Sequence, residues 1–326
     1  MNCIFAIASD RGQNRTGMNN DSLFYAKILL FGEYGIIDDS MGLSIPFNFY
    51  KGTLKFSDKE APNADSIRAF AEELQRRQAQ GELPEKLHLD ALLSDLDNGM
   101  YFDSSIPQGF GVGSSGALCA AIYERYAEEK IPVEENPDKD NILRLKKMFS
   151  AMESYFHGKS SGLDPLICYL NLPILIRSKE DVGTVHLPAS DLQGKGAIFL
   201  LNSGQPGETE PMVNIFMEKM KNDGFRNMLK HQFKRYNDAS IKAFLKGEFK
   251  QMLNSIKELS NIAFNHFNPM IPEKFHGTWQ KGIDSGLYYL KLCGSGGGGY
   301  VLGFTPDFDK ALPHLKDYSP EVVYRF

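Results

Sequence analysis

The run PQGFGVGSSGA, residues 107–117, sets three alternating glycines, Gly109, Gly111 and Gly113, directly before two serines and a helix-forming stretch. Glycine lets a backbone turn sharply and come close to a ligand, and a helix that starts at Ser114 adds unpaired amides and the positive end of its dipole. The run therefore reads as an anion-binding loop, with Gly109, Gly111, Gly113, Ser114, Ser115 and Gly116 around a phosphate. A loop that only turns the chain would not need three alternating glycines and two serines. Gly111, Gly113 and Gly116 also satisfy GxGxxG, but a dinucleotide fold needs a second strand ending in an acidic residue about 20 residues on. Here the helix runs into IPVEENPDKDN and another helix. The lysine that follows the last glycine of a P-loop is missing as well.

Working outward, LFYAKILLF (23–31) and LSIPFNFYKGTLKF (43–56) read as strands, the second alternating like a twisted antiparallel ribbon. Helical spacing is predicted over 67–80 and 86–96, split by Gly-Glu-Leu-Pro, and the short strand MYFDSSI feeds the glycine loop. Beyond the loop, 114–129 and 140–156 read as helices, followed by HGKSSGLD and the strand PILIRS. Composition turns to loop at 191–196, after which GAIFLLN opens a second unit. That unit carries long helices over about 211–268, strands LYYLKLC and YVLGF around a second glycine run, a helix and a last strand VVYRF. The expectation is an α+β fold in two units, 22–190 and 191–326, behind a loose extension over 1–21 in which Met18 is an alternative start.

A chain of 326 residues can bury two cores, and 42% hydrophobic with 24% charged residues is ordinary for a globular protein. The net charge of −5 argues against nucleic acid as a partner. Lys219, Lys221, Arg226, Lys230, Lys234, Arg235, Lys242, Lys246 and Lys250 lie on a helical pattern with apolar residues between them, which reads as a solvated face. Four cysteines with no CxxC pair indicate neither a zinc site nor a disulfide framework and fit a reducing cytoplasm. No apolar run reaches the ~18 residues of a membrane span, and the start lacks the basic region of a signal peptide.

Three further segments carry chemistry. AKILLFGEYGIIDD places Lys27 inside an apolar strand, where a buried lysine needs a charged partner, with Glu33 just past the strand end. ESYFHGKSSGLDPL places Glu153 on a helix and Asp164 after a tight Ser-Ser-Gly turn, where Asp164 could equally cap the next helix. LCGSGGGGYVLGF (292–304) puts five glycines and a serine between two apolar strands, which alone fits a flexible hairpin as well as a ligand loop. Two glycine loops in one chain favour a ligand of polyphosphate size.

Taken in order, KILLFGEYGII, GFGVGSSGA, HGKSSGLD and KLCGSGGGG resemble the motifs of the galactokinase, homoserine kinase, mevalonate kinase and phosphomevalonate kinase (GHMP) superfamily, from residue 23 onward. Within it they look most like the mevalonate kinase family. The resemblance implies a ribosomal S5 domain 2-like unit followed by a ferredoxin-like unit. It also implies ATP as co-substrate, Mg2+, and phosphoryl transfer to mevalonate in isoprenoid precursor synthesis. By position it makes Asp164 the catalytic base, Lys27 its partner, and Ser114 and Glu153 the magnesium ligands. Glu33, Tyr34, His157, Gly296 and Gly297 fall on the substrate side. A small-molecule acceptor and ATP are the expected partners, a homodimer is left open, and a cytoplasmic location is expected. The pattern is broken at Tyr34, where histidine is usual, at Gly116, where alanine is usual, and at Ser160, where proline is usual. Tyr34 leaves open another acceptor (a sugar or phosphomevalonate), a diphosphomevalonate decarboxylase, or a ligand-sensing relative without catalysis.

Overall fold

The computed structural model describes residues 22–35, 40–59 and 61–326. The extension expected over 1–21, with Cys3, lies outside them. The first strand, β1 (Phe24–Phe31), is buried along both faces and pairs antiparallel with β2 (Gly42–Phe56). Only β2 flanks β1 in the sheet, so β1 is an edge, yet its Lys27 amide donates to the Val112 carbonyl at 3.0 Å. The glycine loop thus covers the edge that a strand otherwise leaves open.

The length of β2 lets it serve three partners. Its start pairs with β4 (Ile174–Ile176), its middle with β1 and its last five residues with β3 (Met100–Ser104). β5 (Val182–Thr184), too short and glycine-bearing to show as a strand pattern, completes the sheet on β4. Five helices pack on this sheet: α1 (Ala64–Ala79), α2 (Leu89–Asp97), α3 (Ser114–Tyr126), α4 (Lys139–His157) and α5 (Leu163–Leu170). The expected helix 114–129 stops at Tyr126, because Ala127 bridges Leu87 and the Glu128 amide donates to the Lys86 carbonyl at 3.0 Å. α3 is buried on nearly every side, which its small residues Gly116, Ala117, Cys119, Ala120 and Ala121 allow.

The second sheet comprises β6 (Ala197–Asn202), β7 (Tyr289–Leu292), β8 (Tyr300–Thr305) and β9 (Glu321–Arg325), in the order β7-β8-β6-β9 and antiparallel throughout. A helical crossover from β6 to β7, a tight β7–β8 connection and α11 (Phe308–Leu315) leading to β9 make this the ferredoxin-like arrangement expected. The crossover holds α6 (Thr209–Lys219), α7 (Asp223–Met228), one wide π turn (Leu229–Phe233), α8 (Lys234–Leu245), α9 (Phe249–His266) and α10 (His276–Ser285). α10 lies beyond the helical run read from the sequence. It carries the buried Trp279, whose indole donates to the Ser260 carbonyl at 3.1 Å. Most of the basic residues between Lys219 and Lys250 are exposed, as a solvated helix face requires. Among the described residues no helix is long and apolar enough to cross a membrane.

Candidate active site

The glycine loop ends where α3 begins, with Gly109, Gly111 and Gly113 all at positive φ (77°, 77° and 84°). Its carbonyls are taken from behind. Gly109 O accepts from the Gly207 amide (2.8 Å), Phe110 O from Tyr300 (3.4 Å), Val112 O from Lys27 (3.0 Å) and Gly113 O from Ala117 (3.0 Å). The amides of residues 109–113 have no partner among the described residues, so they are left for an anion at the start of α3. The loop is also crowded. A Cβ on Gly111 would lie 2.8 Å from the Cys293 carbonyl, so only glycine allows the second glycine run to come this close.

Three loops meet here: 107–113, 293–299 and the β6–α6 turn SGQPG (203–207), which the sequence reading passed over. The Gly299 amide donates to Gln205 O at 2.8 Å, and a Cβ on Gly298 would lie 2.4 Å from Pro206 O. The signal for this third loop was its Ser-Gly and Pro-Gly punctuation directly after an apolar strand.

Below the loop, Lys27 Nζ sits 2.8 Å from Asp164 Oδ2. The lysine side chain is 5% exposed and the aspartate 40%, so the pair is sealed on one side and open on the other. Burial would depress the Lys27 ammonium, but the Asp164 carboxylate outweighs it and holds the pKa above the ordinary lysine value. Asp164 stands in the first turn of α5, after the positive-φ Gly162, and therefore points its carboxylate from a fixed helix start. Gly116 on α3 lets that helix start come close: a Cβ there would lie 2.8 Å from the Pro165 nitrogen and 2.9 Å from the Asp164 carbonyl carbon.

Glu153, on the last turns of α4, is buried beside this pair. Burial first, and then the nearby Asp164 charge, push its pKa up to about 8. Ser115 Oγ donates to Glu153 Oε1 at 3.4 Å and lies 3.1 Å from His157 Nε2, while Ser160 Oγ donates to Glu153 Oε2. Of the two serines at the start of α3, the one whose hydroxyl faces Glu153 is Ser115, one residue beyond the Ser114 assigned from the resemblance. Ser114 is half-buried at the helix start and makes no side-chain hydrogen bond among the described residues. A hydroxyl and a carboxylate, with the remaining positions left to phosphate oxygens and water, suit magnesium. Among the described residues no group of three or more His, Cys, Asp and Glu gathers to cage a metal alone.

The other expected substrate-side residues divide. His157 is exposed at the end of α4 and belongs to the site through Ser115. Glu33, expected on the substrate side, is buried and ion-paired with Lys291 of β7, also buried. Tyr34, at φ 56°, is buried as well; its hydroxyl donates to the Ser295 carbonyl at 2.7 Å and its ring stacks on Phe216 (4.6 Å) and Phe267 (5.8 Å). Both residues fasten the end of β1 to the second unit. Gly296 and Gly297, at φ 81° and 77°, are backed onto Met270, whose carbonyl accepts from the Gly297 amide at 2.7 Å.

Residues 68–171 match the family model of the GHMP kinases N terminal domain. A sequence comparison with curated proteins finds no match. Among solved structures the fold is shared with L. major mevalonate kinase in complex with R-mevalonate, at 17% identity and TM-score 0.59, covering 94% of this chain and 97% of that one. It is shared with Streptococcus pneumoniae phosphomevalonate kinase in complex with phosphomevalonate and AMPPNP, at 15% identity and TM-score 0.61, covering 93% and 98%. Lactococcus lactis galactokinase complexed with galactose follows at 12% identity and TM-score 0.61, covering 93% and 92%.

Proposed function

We propose that this chain is a kinase of the GHMP family that transfers the γ-phosphoryl group of ATP to the primary hydroxyl of mevalonate, at the place where the three loops meet. The observation that carries the chemistry is the Lys27–Asp164 pair, 2.8 Å apart and open on the aspartate side, at the foot of a loop with unpaired amides. The motif resemblance and the mevalonate kinases among the chains that share the fold support mevalonate as the proposed acceptor.

The loop amides and the start of α3 hold the polyphosphate, and Asp164 receives the hydroxyl proton as the acceptor oxygen bonds to the γ-phosphorus. The bond from that phosphorus to the β-bridging oxygen breaks and ADP leaves. Lys27 stabilises the oxygen as its proton departs. Ser115 and Glu153 would hold the magnesium ion, which when bound neutralises phosphate charge. In such a loose transfer positioning and charge supply most of the rate, and orienting the hydroxyl is a main part of the Asp164 role.

ADP release from the purified protein, measured against mevalonate, phosphomevalonate and a set of sugars, tests this reading. Turnover with mevalonate alone supports it, and turnover confined to a sugar or to phosphomevalonate would replace the acceptor. Asp164→Asn should cut kcat by about 10²–10⁴-fold and leave ATP binding in place. Full activity in that variant would remove Asp164 from the chemistry.

A further inference from the structure

Ser160 occupies the place where the related motif carries proline, and its hydrogen bonds go beyond what a turn needs. Its hydroxyl donates to Glu153 Oε2 and accepts from the Gly162 amide at 3.0 Å. Its own amide, which a proline would lack, donates to Ser154 Oγ at 3.2 Å, and its carbonyl accepts from Ser150 Oγ at 2.6 Å. Ser154 Oγ in turn donates to the Ser150 carbonyl at 2.6 Å. Three serines, two on α4 and one on the following turn, therefore clamp residues 157–162 onto the helix that carries Glu153.

We propose that Ser160 is a positioning residue for the metal-binding carboxylate: it holds Glu153 Oε2, so that Oε1 is presented, beside Ser115, to the divalent cation that accompanies the nucleotide. This rests on the reading above that Glu153 holds that cation. Glu153 is buried next to another carboxylate, and among the described residues only hydroxyls, those of Ser115 and Ser160, donate to it. An unheld carboxylate would rotate about its last torsion and lose its direction. Partners that orient a metal ligand typically govern about 10- to 100-fold of metal affinity. The same hydroxyl accepts from Gly162, two residues before Asp164, so one side chain ties the cation's carboxylate to the turn that carries the base.

The test is Mn2+ binding in the presence of saturating β,γ-imido ATP, followed by electron paramagnetic resonance on wild type, Ser160→Ala, Ser160→Thr and Glu153→Gln. Binding of the metal-free nucleotide in EDTA is measured in parallel. Ser160→Ala is expected to weaken Mn2+ by about 10- to 100-fold with metal-free nucleotide affinity unchanged, and Ser160→Thr to restore Mn2+ binding. A merely structural role would lower both affinities together, and that result would overturn the proposal. If Glu153→Gln loses Mn2+ while Ser160→Ala keeps it, positioning is refuted and the metal site stands. If Glu153→Gln also keeps it, the metal site itself is refuted, and the role of Ser160 with it.

Discussion

Replacing Gly116 by alanine, the residue usual in the superfamily motif, should impair this chain. The new Cβ would stand 2.8 Å from the Pro165 nitrogen, 2.9 Å from the Asp164 carbonyl carbon and 3.2 Å from Asp164 Cβ. Two of these neighbours are backbone atoms at the start of α5, so no side chain can swing away. Ordinary contact begins at 3.4 Å, and relief requires α3 and the start of α5 to part by about 0.6 Å. Lys27 cannot follow, because it is buried in β1 and its amide is bonded to Val112. The 2.8 Å contact between Lys27 and Asp164 therefore lengthens. A misplacement of about 1 Å at a catalytic group costs about 10²-fold, so roughly half of it predicts about a 10-fold fall in kcat. The overpacking itself should cost about 1–3 kcal/mol of stability. ADP release under steady-state conditions reads the first effect and urea denaturation the second. The KM for ATP should change little, since the loop amides proposed to hold the phosphates lie before Gly116. Wild-type kcat in a folded Gly116→Ala protein would refute the claim that α5 must sit this close for catalysis.

Tyr34→Phe keeps the ring stack and removes only the hydrogen bond to Ser295 O, so denaturation should show a loss of about 1 kcal/mol. Tyr34→His, the change to the residue usual in the motif, also gives up the stack on Phe216 and should cost about 0.5–1.5 kcal/mol more. Lys291→Met leaves the buried Glu33 charge without its partner, and urea denaturation should show a loss of about 3–5 kcal/mol. The double variant Glu33→Leu/Lys291→Met should recover most of that loss. Isothermal titration should detect ATP and not NAD, because the loop opens α3 without the acidic second strand that a dinucleotide fold needs.

The elements with a clean period were legible in the sequence. β1, β2, α4 and the strands around the second glycine run lie within a few residues of their reading, because apolar spacing reports directly which face is buried. What was not legible was set by contacts between distant segments. The end of α3 depends on Leu87, forty residues upstream of its partner Ala127, and β5 is three residues long with a glycine in the middle. The choice between Ser114 and Ser115 shows the limit most clearly. Neighbouring residues at a helix start point about 100° apart, and which of them meets Glu153 depends on how α3 is rotated against α4. No pattern within either helix carries that rotation.

The two buried lysines show how a structural pair and a proposed catalytic pair can share one sequence signature. Lys27 in AKILLF and Lys291 in LYYLKLC are each a single charge inside an apolar strand, and each finds a carboxylate, Asp164 and Glu33 respectively. By sequence Glu33 stands just past the end of its strand, and Asp164, apart from the motif resemblance, could equally be a helix cap. Exposure separates them. Asp164 keeps 40% of its side chain accessible while Lys27 has 5%, so one oxygen can meet a substrate hydroxyl while the cation behind it holds the charge. Glu33 and Lys291 are each 6% exposed, so the pair is closed off from bulk water on both sides. A closed pair spends its attraction on holding β1 against β7. The open one can exchange part of that attraction for a developing oxyanion, as proton transfer from an acceptor requires.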